Sequence, residues 1–402
     1  MKKLMLLGGS SYLLPIIKKA HELGLYVITC DFLPNNIAHK YSDKYVNISI
    51  IDKNAVLEFA QKERINGIMS FACDPGVVTA AYVAETMGLP FQCSYKSACI
   101  LQNKGLFRRF LLDNGFNSPH AKGYSNIDDV FKDIDYFTWP VIVKPVDSAG
   151  SKGVTKVSTI EELKPAIQQA LTYSQSNSFI VEDFLEFKGA HSSADSFTID
   201  GKLKFITYSD QLFDKDADNP YVPSLIIWPS TMEKSHQTEL NNETQRLMTL
   251  LGMKHGIYNI ETCIATNNKP YIMEVSPRGG GCRIAEIQQL AYGIDLIENE
   301  IRKAVSLPLI EINEEPIKYT WCELIIHAKP GCSGIFKELK ISKEVKEKYL
   351  VDIVLTVKPG DYVKPFTGAN MSLGDMFLKF NNRKELDYFT SHIYDWLEIV
   401  LE

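Results

Sequence analysis

One stretch of alternating apolar and polar residues constrains the fold of this chain more than any other feature. Ile257–Thr266 (IYNIETCIAT) alternates with the period of a half-buried β-strand and runs into Asn267-Asn268. Asparagine tolerates positive φ, so this pair suits the two-residue turn of a β-hairpin. The return strand is Tyr271–Ser276 (YIMEVS). The sequence therefore predicts an antiparallel hairpin with its two strands in a fixed register.

A two-residue turn places Glu261 opposite Glu274 and Asn259 opposite Ser276. Directly opposed Cβ atoms are about 4.5–5.5 Å apart, and like charges at that distance repel each other, so a cation is expected between the two acids. Mg²⁺ or Mn²⁺ fits, because hard cations prefer oxygen ligands and often take only one or two carboxylates, leaving the rest to water and phosphate. The alternative is a pair of exposed acids on a solvated sheet face.

Length and composition indicate a soluble globular protein. The 402 residues are enough for two or three domains with ample core. Hydrophobic residues make up 45% of the chain and charged residues 23%, which is ordinary for this class. The net charge of −6 argues against nucleic acid or an anionic membrane as the main partner.

Neither membrane insertion nor export is indicated. No apolar run approaches the ~18 residues needed to cross a bilayer. The apolar stretch Leu4–Leu7 is too short for a signal peptide, so it predicts a first β-strand. The eight cysteines form no CxxC pair, which predicts reduced thiols rather than a zinc site or a disulfide framework. We therefore expect a cytoplasmic protein.

Residues 1–95 alternate between strand and helix signals. KLMLLGG, LYVITCD, YVNISI and GIMSF read as strands, separated by helical patterns at Tyr12–Leu23, Ala55–Glu63 and Val77–Met87. This alternation predicts an open parallel α/β sheet. Asp74 follows the fourth strand, where open sheets bind ligands, so we expect it to contact substrate. GxGxxG is absent, although the GGSS turn leaves an NAD-linked oxidoreductase as an outside alternative.

Beyond residue 95 the patterns mix helices with β-rich blocks. Residues 97–115 predict one amphipathic helix closed by Gly115, and Asp200-Gly201 predicts a second hairpin turn. A Pro/Glu-rich boundary near 307–317 precedes the C-terminal part. Further helices are predicted at Ile160–Tyr173, Gln237–Leu251, Ala285–Val305 and Lys384–Leu401.

A candidate phosphate-binding loop, Asp147–Val154 (DSAGSKGV), lies between the strands VIVK and VTKV. Its small residues let backbone N–H groups approach phosphate oxygens closely. It is not a Walker A loop, because GxxxxGK[ST] is absent and a strand follows it; an ordinary Gly/Ser-rich hairpin turn is the alternative. Lys144 ends a buried-looking strand and needs an anion, because burying an unpaired ammonium is costly.

The order of these pieces resembles that of the ATP-grasp family: Lys104 on a helix, VIVKP with Lys144, the small loop, IVEDFL at 180–185, and a hairpin ending in EVSPR. The segments HAKPGCSGIF and VKPGDYV are similar to the biotin-carboxylase-like and L-amino-acid-ligase branch. The resemblance implies an α/β N-terminal domain over 1–95, an ATP-grasp domain over 96–310 and a small α+β C-terminal domain over 311–402. Within the second domain a mobile β-rich lid covers about 117–185.

The resemblance also implies which residues hold the nucleotide. Lys104 and Lys144 contact the phosphates, and the backbone at Glu182–Leu185 holds the adenine edge, while His191 faces the ribose. Within the loop that closes over the β- and γ-phosphates, and at the adenine edge, the implied residues are Ser148, Gly150, Ser151, Gly153, Glu182, Phe184 and Leu185.

Metal, catalytic and substrate roles follow from the same resemblance. Glu261 and Glu274 bind two Mg²⁺, but the family usually has Asn where this chain has Ser276. A hydroxyl is a weaker metal ligand than an amide carbonyl, which puts the affinity of the second metal in question; our hypothesis is that Asn259 contributes to the site. Arg278 steadies the reacting group. Lys152 is a further catalytic candidate. Gly280 and Gly281 are candidate substrate contacts for a separate reason: the three glycines of the run 279–281 leave room for a substrate carboxylate or amine to lie against the backbone, which suggests a bulky or extended substrate.

The implied activity is ATP-dependent ligation. A substrate carboxylate is activated as an acyl-phosphate, with ATP and Mg²⁺ or Mn²⁺, and joined to an amine, releasing ADP and phosphate. The expected partners are a small-molecule carboxylate and an amine, with no nucleic acid or membrane; a homodimer stays open. Two alternatives remain: a carboxylase-type enzyme that activates bicarbonate, and a nucleotide-binding module weakened by Ser276.

Overall fold

Sheets and helices alternate along the part of the chain that the computed structural model describes, residues 1–148 and 150–402. The strands are β1 Lys3–Leu7, β2 Tyr26–Cys30, β3 Lys44–Val46, β4 Gly67–Ser70, β5 Ala121–Tyr124, β6 Val141–Pro145, β7 Thr155–Val157, β8 Phe179–Asp183, β9 Ser192–Ile199, β10 Lys202–Phe205, β11 Asp210–Phe213, β12 Pro223–Trp228, β13 Gly256–Ile264, β14 Pro270–Ser276, β15 Thr320–Ile326, β16 Gly334–Ile341, β17 Leu350–Leu355, β18 Tyr362–Val363, β19 Gly374–Phe380 and β20 Leu397–Leu401.

The α-helices are α1 Leu14–Glu22, α2 Lys53–Glu63, α3 Asp74–Met87, α4 Tyr95–Gln102, α5 Lys104–Asp113, α6 Ile127–Lys132, α7 Ile160–Thr172, α8 Lys234–Leu250, α9 Ile284–Tyr292, α10 Leu296–Ala304, α11 Lys343–Lys348, α12 Arg383–Ser391 and α13 Ile393–Trp396. Short 3₁₀ helices cover Ser11–Leu13, Ile37–Lys40, Ile134–Tyr136 and Ala369–Met371. Among these described helices, none is long and apolar enough to cross a membrane.

The N-terminal sheet is parallel, as the sequence predicts, with strand order β3-β2-β1-β4. Leu4–Leu7 is fully buried, because both faces of β1 are covered, which explains its uninterrupted apolar sequence. Helix α3 begins directly after β4 with Asp74 in its first turn. The carboxyl ends of the strands therefore deliver Asp74 to the edge where parallel sheets bind ligands.

The second sheet has the order β10-β9-β13-β14 and carries the hairpin predicted at Ile257–Ser276. Its other hairpin is also confirmed. Asp200 and Gly201 both have positive φ, 51° and 70°, and Ile199 pairs with Lys202 across them. Two such residues form the tight turn that matches the twist of the flanking strands. Because β13 lies between β9 and β14, its polar side chains have strands on both sides.

Three long helices predicted from periodicity are wrong in extent. Residues 97–115 form two helices, because the Asn103 side chain accepts a hydrogen bond from the Leu106 N–H (3.0 Å) and starts α5. The predicted helix Ala285–Val305 is interrupted at Gly293, whose φ of +76° ends α9. The predicted closing helix Lys384–Leu401 ends early, and its last residues form β20 against β16.

A third sheet, β5-β8-β6-β7, is here called the lid sheet. Helix α7 packs on it and buries Leu163, Ile167 and neighbouring alanines. A five-stranded sheet with the order β11-β12-β15-β19-β17 joins strands from both sides of residue 311. The domain boundaries at 95/96 and 310/311 therefore stay a proposal. The fold class, an α/β chain with antiparallel and mixed α+β parts, is as predicted.

Candidate functional site

The strands β13 and β14, here called the acid hairpin, have the register that the sequence predicts at its acids. Glu261 pairs with Glu274, and Asn259 pairs with Ser276. Burial, and next the nearby Glu274, raise the pKa of Glu261 to about 7. Two opposed carboxylates therefore hold less than two full charges unless a cation joins them. This donor set of hard oxygens fits Mg²⁺ or Mn²⁺.

The turn of the acid hairpin differs from the prediction. Ile264 pairs with Pro270, so the turn is longer than Asn267-Asn268, and Asn268 adopts the left-handed conformation at φ +62°. The register shifts by one between Glu261 and Thr262 because β14 carries one extra residue, Met273, as a β-bulge. The longer turn and the bulge compensate each other. The predicted turn was wrong although the predicted pairing of the acids was right.

Lys104 is the cation that lies against these acids. As the first residue of α5, it places its Nζ 3.5 Å from Glu274 Oε2 and donates to the Ser148 carbonyl oxygen at 2.9 Å. Burial by itself lowers the pKa of Lys104, but Glu274 and the other surrounding acids outweigh it and raise the pKa. Lys104 therefore stays charged and links the acid hairpin to the start of the predicted phosphate-binding loop.

Arg278 and Asp74, predicted separately as a catalytic and a substrate residue, form a buried ion pair. Arg278 Nε donates to Asp74 Oδ1 at 2.9 Å and Nη2 donates to Asp74 Oδ2 at 2.6 Å. The Ser276 hydroxyl donates to Asp74 Oδ1 at 2.8 Å and accepts from Gln102 Nε2 at 2.7 Å. Burial raises the pKa of Asp74, but Arg278 outweighs it and lowers the pKa. With its hydroxyl engaged twice, Ser276 has one lone pair left for a metal.

Asp195 is a buried acid of this site that the sequence analysis missed. Both of its carboxylate oxygens accept from the Gly280 N–H, at 2.8 and 3.0 Å, and Oδ1 also accepts from Asn259 Nδ2 at 3.0 Å. Because the amide nitrogen of Asn259 points to Asp195, its carbonyl oxygen points away from that carboxylate. A lone acid in the strand SSADSFTI was the available signal, but the pairing of Asp195 with Asn259 appears only in the sheet. Asp195 therefore fixes both Asn259 and the glycine run.

The anion that balances the charge of Lys144 is a protein side chain, the carboxylate of Glu182. Its Nζ lies 3.0 Å from Glu182 Oε2, and Arg108 Nε donates to Glu182 Oε1 at 3.2 Å. Burial opposes ionisation, but Arg108 and Lys144 outweigh it and lower the pKa of Glu182 to about 2. Arg108 Nη1 also donates at 2.8 Å to the carbonyl of Met273, the extra residue of the bulge. Arg108 thus binds the lid sheet and the acid hairpin together.

The backbone predicted to hold the adenine edge is only partly free. Glu182 is paired on both sides, with Ala121 and Ile142, and the Phe184 N–H donates to the Pro140 carbonyl at 2.9 Å. Leu185 is the first residue after β8 whose N–H has no acceptor among the described residues. Of the backbone predicted to hold the adenine edge, the N–H of Leu185 is therefore the donor that remains available.

His191 is enclosed by Phe187 and Phe213, with ring centroids 3.9 and 5.3 Å away. Burial, and next Lys144, lower the pKa of His191 to about 4. Its imidazole is therefore neutral at physiological pH, which suits a hydrogen bond to a ribose hydroxyl better than an ion pair. That predicted role stays a prediction.

The predicted phosphate loop packs onto the C-terminal part of the chain. Ser151, at φ +57°, donates from its hydroxyl to the Tyr221 carbonyl at 2.9 Å. Gly150 and Gly153 have φ of +71° and +69°, conformations that favour glycine. The Lys152 side chain lies beside Gly368, and its predicted catalytic role stays a prediction. One loop residue, Ala149, lies outside the described residues.

A cavity of about 230 Å³ connects the predicted residues. Its lining includes Asp74, Gln102, Lys104, Ser148 and Glu274. Gly280 lines a different and much smaller cavity, of about 10 Å³, so Asp74 and Gly280 do not share one pocket. The larger cavity is lined by the Lys104 ammonium and the Glu274 carboxylate, whose Nζ and Oε2 are 3.5 Å apart, and it is bounded by the acid hairpin, α3, α4, α5 and the loop.

Comparison with known proteins gives the following similarities. Residues 137–286 match the family model of the ATP-grasp domain. The chain is 26% identical over 279 residues to a formate-dependent phosphoribosylglycinamide formyltransferase of Wolinella succinogenes, covering 69% of this chain and 70% of that one. It is 24% identical over 307 residues to D-alanine–D-alanine ligase A of Clostridium perfringens, covering 70% and 93%. The crystal structure of L-amino acid ligase from Bacillus licheniformis has the same fold, with a TM-score of 0.82 at 21% identity, covering 100% of this chain and 99% of that one.

Proposed function

Because this chain belongs to the ATP-grasp superfamily, we propose that it is an ATP-dependent ligase that joins a carboxylate to an amine. The pairing of Glu261 with Glu274 beside Lys104 carries the proposal. The two carboxylates can bind a metal ion, and the ammonium can bind the phosphates of the nucleotide. Two of the proteins compared above are named as ligases of amino acids, which also supports it.

The proposed reaction has two steps. A carboxylate oxygen of the substrate attacks the γ-phosphorus of ATP, the bond from that phosphorus to the β,γ-bridging oxygen breaks, and ADP leaves with the bridging oxygen. The amine nitrogen then attacks the acyl carbon, and the bond from that carbon to the phosphate oxygen breaks. The nitrogen gives up one proton, and an amide and inorganic phosphate form.

The nucleotide is proposed to lie between the lid sheet and the acid hairpin. Lys144 and Lys104 face its phosphates, and the loop at Ser148–Gly153 covers them. Since Lys144 shares Glu182 with Arg108, it can turn toward a phosphate without leaving Glu182 unpaired. The backbone N–H of Leu185 would donate to the adenine edge. Further along the chain, the neutral imidazole of His191 would face the ribose.

Glu261 and Glu274 would hold Mg²⁺ or Mn²⁺, with Asn259 and Ser276 as neutral oxygen donors. Such an ion neutralises charge on the γ-phosphate when it is bound. Asp195 supports this arrangement by fixing the amide of Asn259. Asp74 holds the Nε and Nη2 of Arg278 in a fixed orientation, and Nη1 donates to the Gly279 carbonyl. Arg278 is proposed to steady the reacting phosphoryl or acyl group through the N–H groups that these two partners leave over.

The substrate carboxylate is proposed to occupy the cavity of about 230 Å³ beside Glu274. It would approach Lys104 there, close to the position of the γ-phosphate. Exclusion of water matters, because water hydrolyses an acyl-phosphate, and the closed loop over this cavity would provide it. A cytoplasmic location and small-molecule partners are part of the same proposal; the possible homodimer is kept with it.

The test is a phosphate-release screen that crosses carboxylic acids with amino acids in the presence of Mg²⁺ and ATP, with mass spectrometry of the products. A parallel screen replaces the amine by hydroxylamine, which converts an acyl-phosphate into a coloured hydroxamate. The expected result is one acid that gives hydroxamate and, with a matching amine, an amide.

Two other outcomes would overturn the proposed ligase. ADP release that depends on bicarbonate alone would indicate the carboxylase-type alternative. ATP binding with no turnover on any acid would indicate a nucleotide-binding module in which Ser276 has weakened catalysis.

A further inference from the structure

The cavity of about 230 Å³ is larger than the reacting carboxylate of a substrate needs. Its lining includes Lys104 and Glu274, but also Ile51 and Lys53, which lie just before and at the start of α2. One water molecule needs about 10–15 Å³ of such a cavity, so a single carboxylate group fills only a small part of it. The rest of the volume is therefore available to the remainder of the acid substrate.

Most of the charged residues on this lining already have protein partners. Asp74 binds Arg278, and Glu274 lies beside Lys104. The carboxylate of Asp147 accepts hydrogen bonds from two backbone N–H groups, at 3.3 and 2.7 Å, and from a serine hydroxyl at 2.9 Å. None of these carboxylates therefore needs a cation from the substrate.

Lys53 is the charged residue of the lining that lacks such a partner. Among the described residues no acid pairs with its ammonium. The hydrogen bond to Tyr95 raises the pKa of Lys53 most, followed by Tyr82 and Cys99, and none of these main causes is a carboxylate. Lys53 is also the first residue of α2, where a positive charge is unfavourable because the helix dipole is positive at that end. The stability of the fold therefore does not explain a lysine at this position.

Two aromatic rings hold the Lys53 ammonium in place. Its Nζ donates to the Tyr95 hydroxyl at 3.0 Å and lies 4.8 and 5.1 Å from the ring centroids of Tyr82 and Tyr95. The two rings pack edge to face, with their centroids 5.4 Å apart. An ammonium has three N–H donors, so two remain after the bond to Tyr95. Because the rings already restrict the side chain, binding an anion costs little further loss of freedom.

Much of the remaining lining is apolar, and it includes Pro75, Val78 and Leu101. A carbon chain can pack against such side chains, whereas a charged group gains nothing from them. The two lysines of the cavity belong to different helices, Lys53 to α2 and Lys104 to α5. The cavity therefore suits a short carbon chain that carries an anionic group at each end.

We propose that Lys53 binds a second anionic group of the acid substrate, so that the acid activated by this protein carries two anionic groups. The reacting carboxylate approaches Lys104 and the γ-phosphate, and the second group, a carboxylate or a phosphate-like group, forms an ion pair with Lys53. This inference rests on the proposed ligase function and deepens it, because it assigns a residue that selects the acid.

Acids that differ only in one end group test the proposal. Succinate, phosphonopropionate and butyrate end in a carboxylate, a phosphonate and a methyl group, and the corresponding series based on glutarate and adipate have longer chains. Each acid is assayed with ATP, Mg²⁺ and hydroxylamine, and hydroxamate is measured. In at least one series kcat/KM should be at least about tenfold higher for a dianionic acid than for the methyl-terminated one, as expected for a charge-assisted contact. The preference between carboxylate and phosphonate then identifies the second group.

Replacing Lys53 with Met should lower kcat/KM for the dianionic acid at least about tenfold, mainly through KM, and leave the methyl-terminated acid nearly unchanged. Lys53→Arg, which keeps the charge, should retain part of the preference. The matched control is Lys62→Met, which removes an exposed lysine from the same helix and should behave as the parent protein does. Since no acid among the described residues pairs with Lys53, its loss leaves no carboxylate unpaired, and the variant should melt as the parent does.

Binding without turnover separates this inference from the ligase proposal. Calorimetric titration of the same acids, with Mg²⁺ and ADP present, reports the contact with Lys53 whether or not an acyl-phosphate forms. If no acid gives hydroxamate, the ligase proposal fails, while binding of a dianionic acid that depends on Lys53 would still support the anion site. The inference is overturned, and the ligase proposal kept, if methyl-terminated acids react as well as dianionic ones or if Lys53→Met retains the preference. Failure of every dianionic acid to bind or react also overturns it.

Discussion

The guanidinium of Arg278 binds the carboxylate of Asp74 through two hydrogen bonds, of 2.9 and 2.6 Å. The two residues are 204 positions apart in the chain. This pair joins the end of the acid hairpin to the first turn of α3. It orients Arg278 before any ligand binds. A planar guanidinium held in this way loses little freedom when it contacts a reacting group.

Replacing Arg278 with Lys should reduce kcat by about 10²–10³ while ATP affinity changes only a few-fold, because a lysine cannot hold Asp74 with two donors and also present further donors to the reacting group. Steady-state kinetics and nucleotide titration check this. Since Asp74 orients Arg278, the double variant with Asp74→Asn should lose less activity than the product of the two single losses. Equal losses in kcat and ATP affinity would assign Arg278 to the nucleotide pocket instead.

Replacing Lys144 with Ala should weaken ATP binding at least about tenfold, because a charge-assisted contact is worth about 1.5–3 kcal/mol. The melting temperature should also fall, since buried Glu182 keeps only Arg108 as a partner. Calorimetry with ATP provides the measurement. The control is Lys122→Ala, which removes a lysine from the same sheet that is 51% exposed and pairs with Asp133. Unchanged ATP affinity in folded Lys144→Ala protein would rule out a phosphate contact.

Replacing Glu274 with Gln should abolish metal-dependent phosphate release without loss of the fold. The substitution removes one of two opposed charges, and Glu261 and Asp74 remain to balance Lys104, so the melting temperature of the metal-free protein should stay level or rise. Activity assays and thermal denaturation in a chelating buffer measure the two effects. Unfolding of the variant without metal would show that the two acids have a structural role.

Replacing Asp195 with Asn should lower kcat by about 10²-fold with little change in the KM for ATP. The new amide can present its N–H₂ group to Gly280 and Asn259, both of which are donors, and a displacement of about 1 Å at a reacting centre can cost that much. The exposed hairpin residue Asp200 provides the control as Asp200→Asn. An increase in KM with unchanged kcat would contradict a positioning role.

The ligand-free protein should lose stability as pH rises from 5 to 8. Burial raises the pKa of Asp375 to about 6 and the pKa of Glu323 well above its usual range, so the native state keeps protons that the unfolded state has released. When the native state binds more protons, the free energy of unfolding falls with increasing pH. Thermal melts at constant ionic strength should show this fall, and Glu323→Gln should flatten it relative to Glu338→Gln, which changes an exposed acid on β16. A parent protein that becomes more stable over this range would contradict it.

Local patterns predicted the strands and the pairing of the acids, because period-two alternation determines which side chains share a face. They could not predict the bulge at Met273, which depends on Arg108 binding its carbonyl from another element. The break at Asn103 had a visible capping residue, but the apolar periodicity continues across it. In the same way, Ile399 and its neighbours follow a helical pattern, yet pair with β16 as a strand.

The site was harder to predict than the fold. Asp195 lies 64 positions before Asn259, and Lys53 lies 42 positions before Tyr95, the residue that holds its ammonium. No spacing in the sequence reports such contacts. Residues next to one another in a recognisable motif, such as Glu274 and Arg278, were identified, whereas those that support them from distant strands were not.

Arg108 holds together the two walls of the cleft between the lid sheet and the acid hairpin. It is buried, and it ties Glu182 of the lid sheet to the Met273 carbonyl of the acid hairpin, so the two walls cannot separate at that point without breaking bonds to a buried charge. The loop at Ser148–Gly153, beyond the carboxyl end of β6, is attached by the Ser151 hydroxyl to the Tyr221 carbonyl and by Lys104 to the Ser148 carbonyl, and both of these hydrogen bonds are only partly buried. We therefore expect the lid sheet to rotate about α5 when the cleft opens, with the largest separation at the loop. Nucleotide would then enter, and ADP would leave, at the loop end of the cleft.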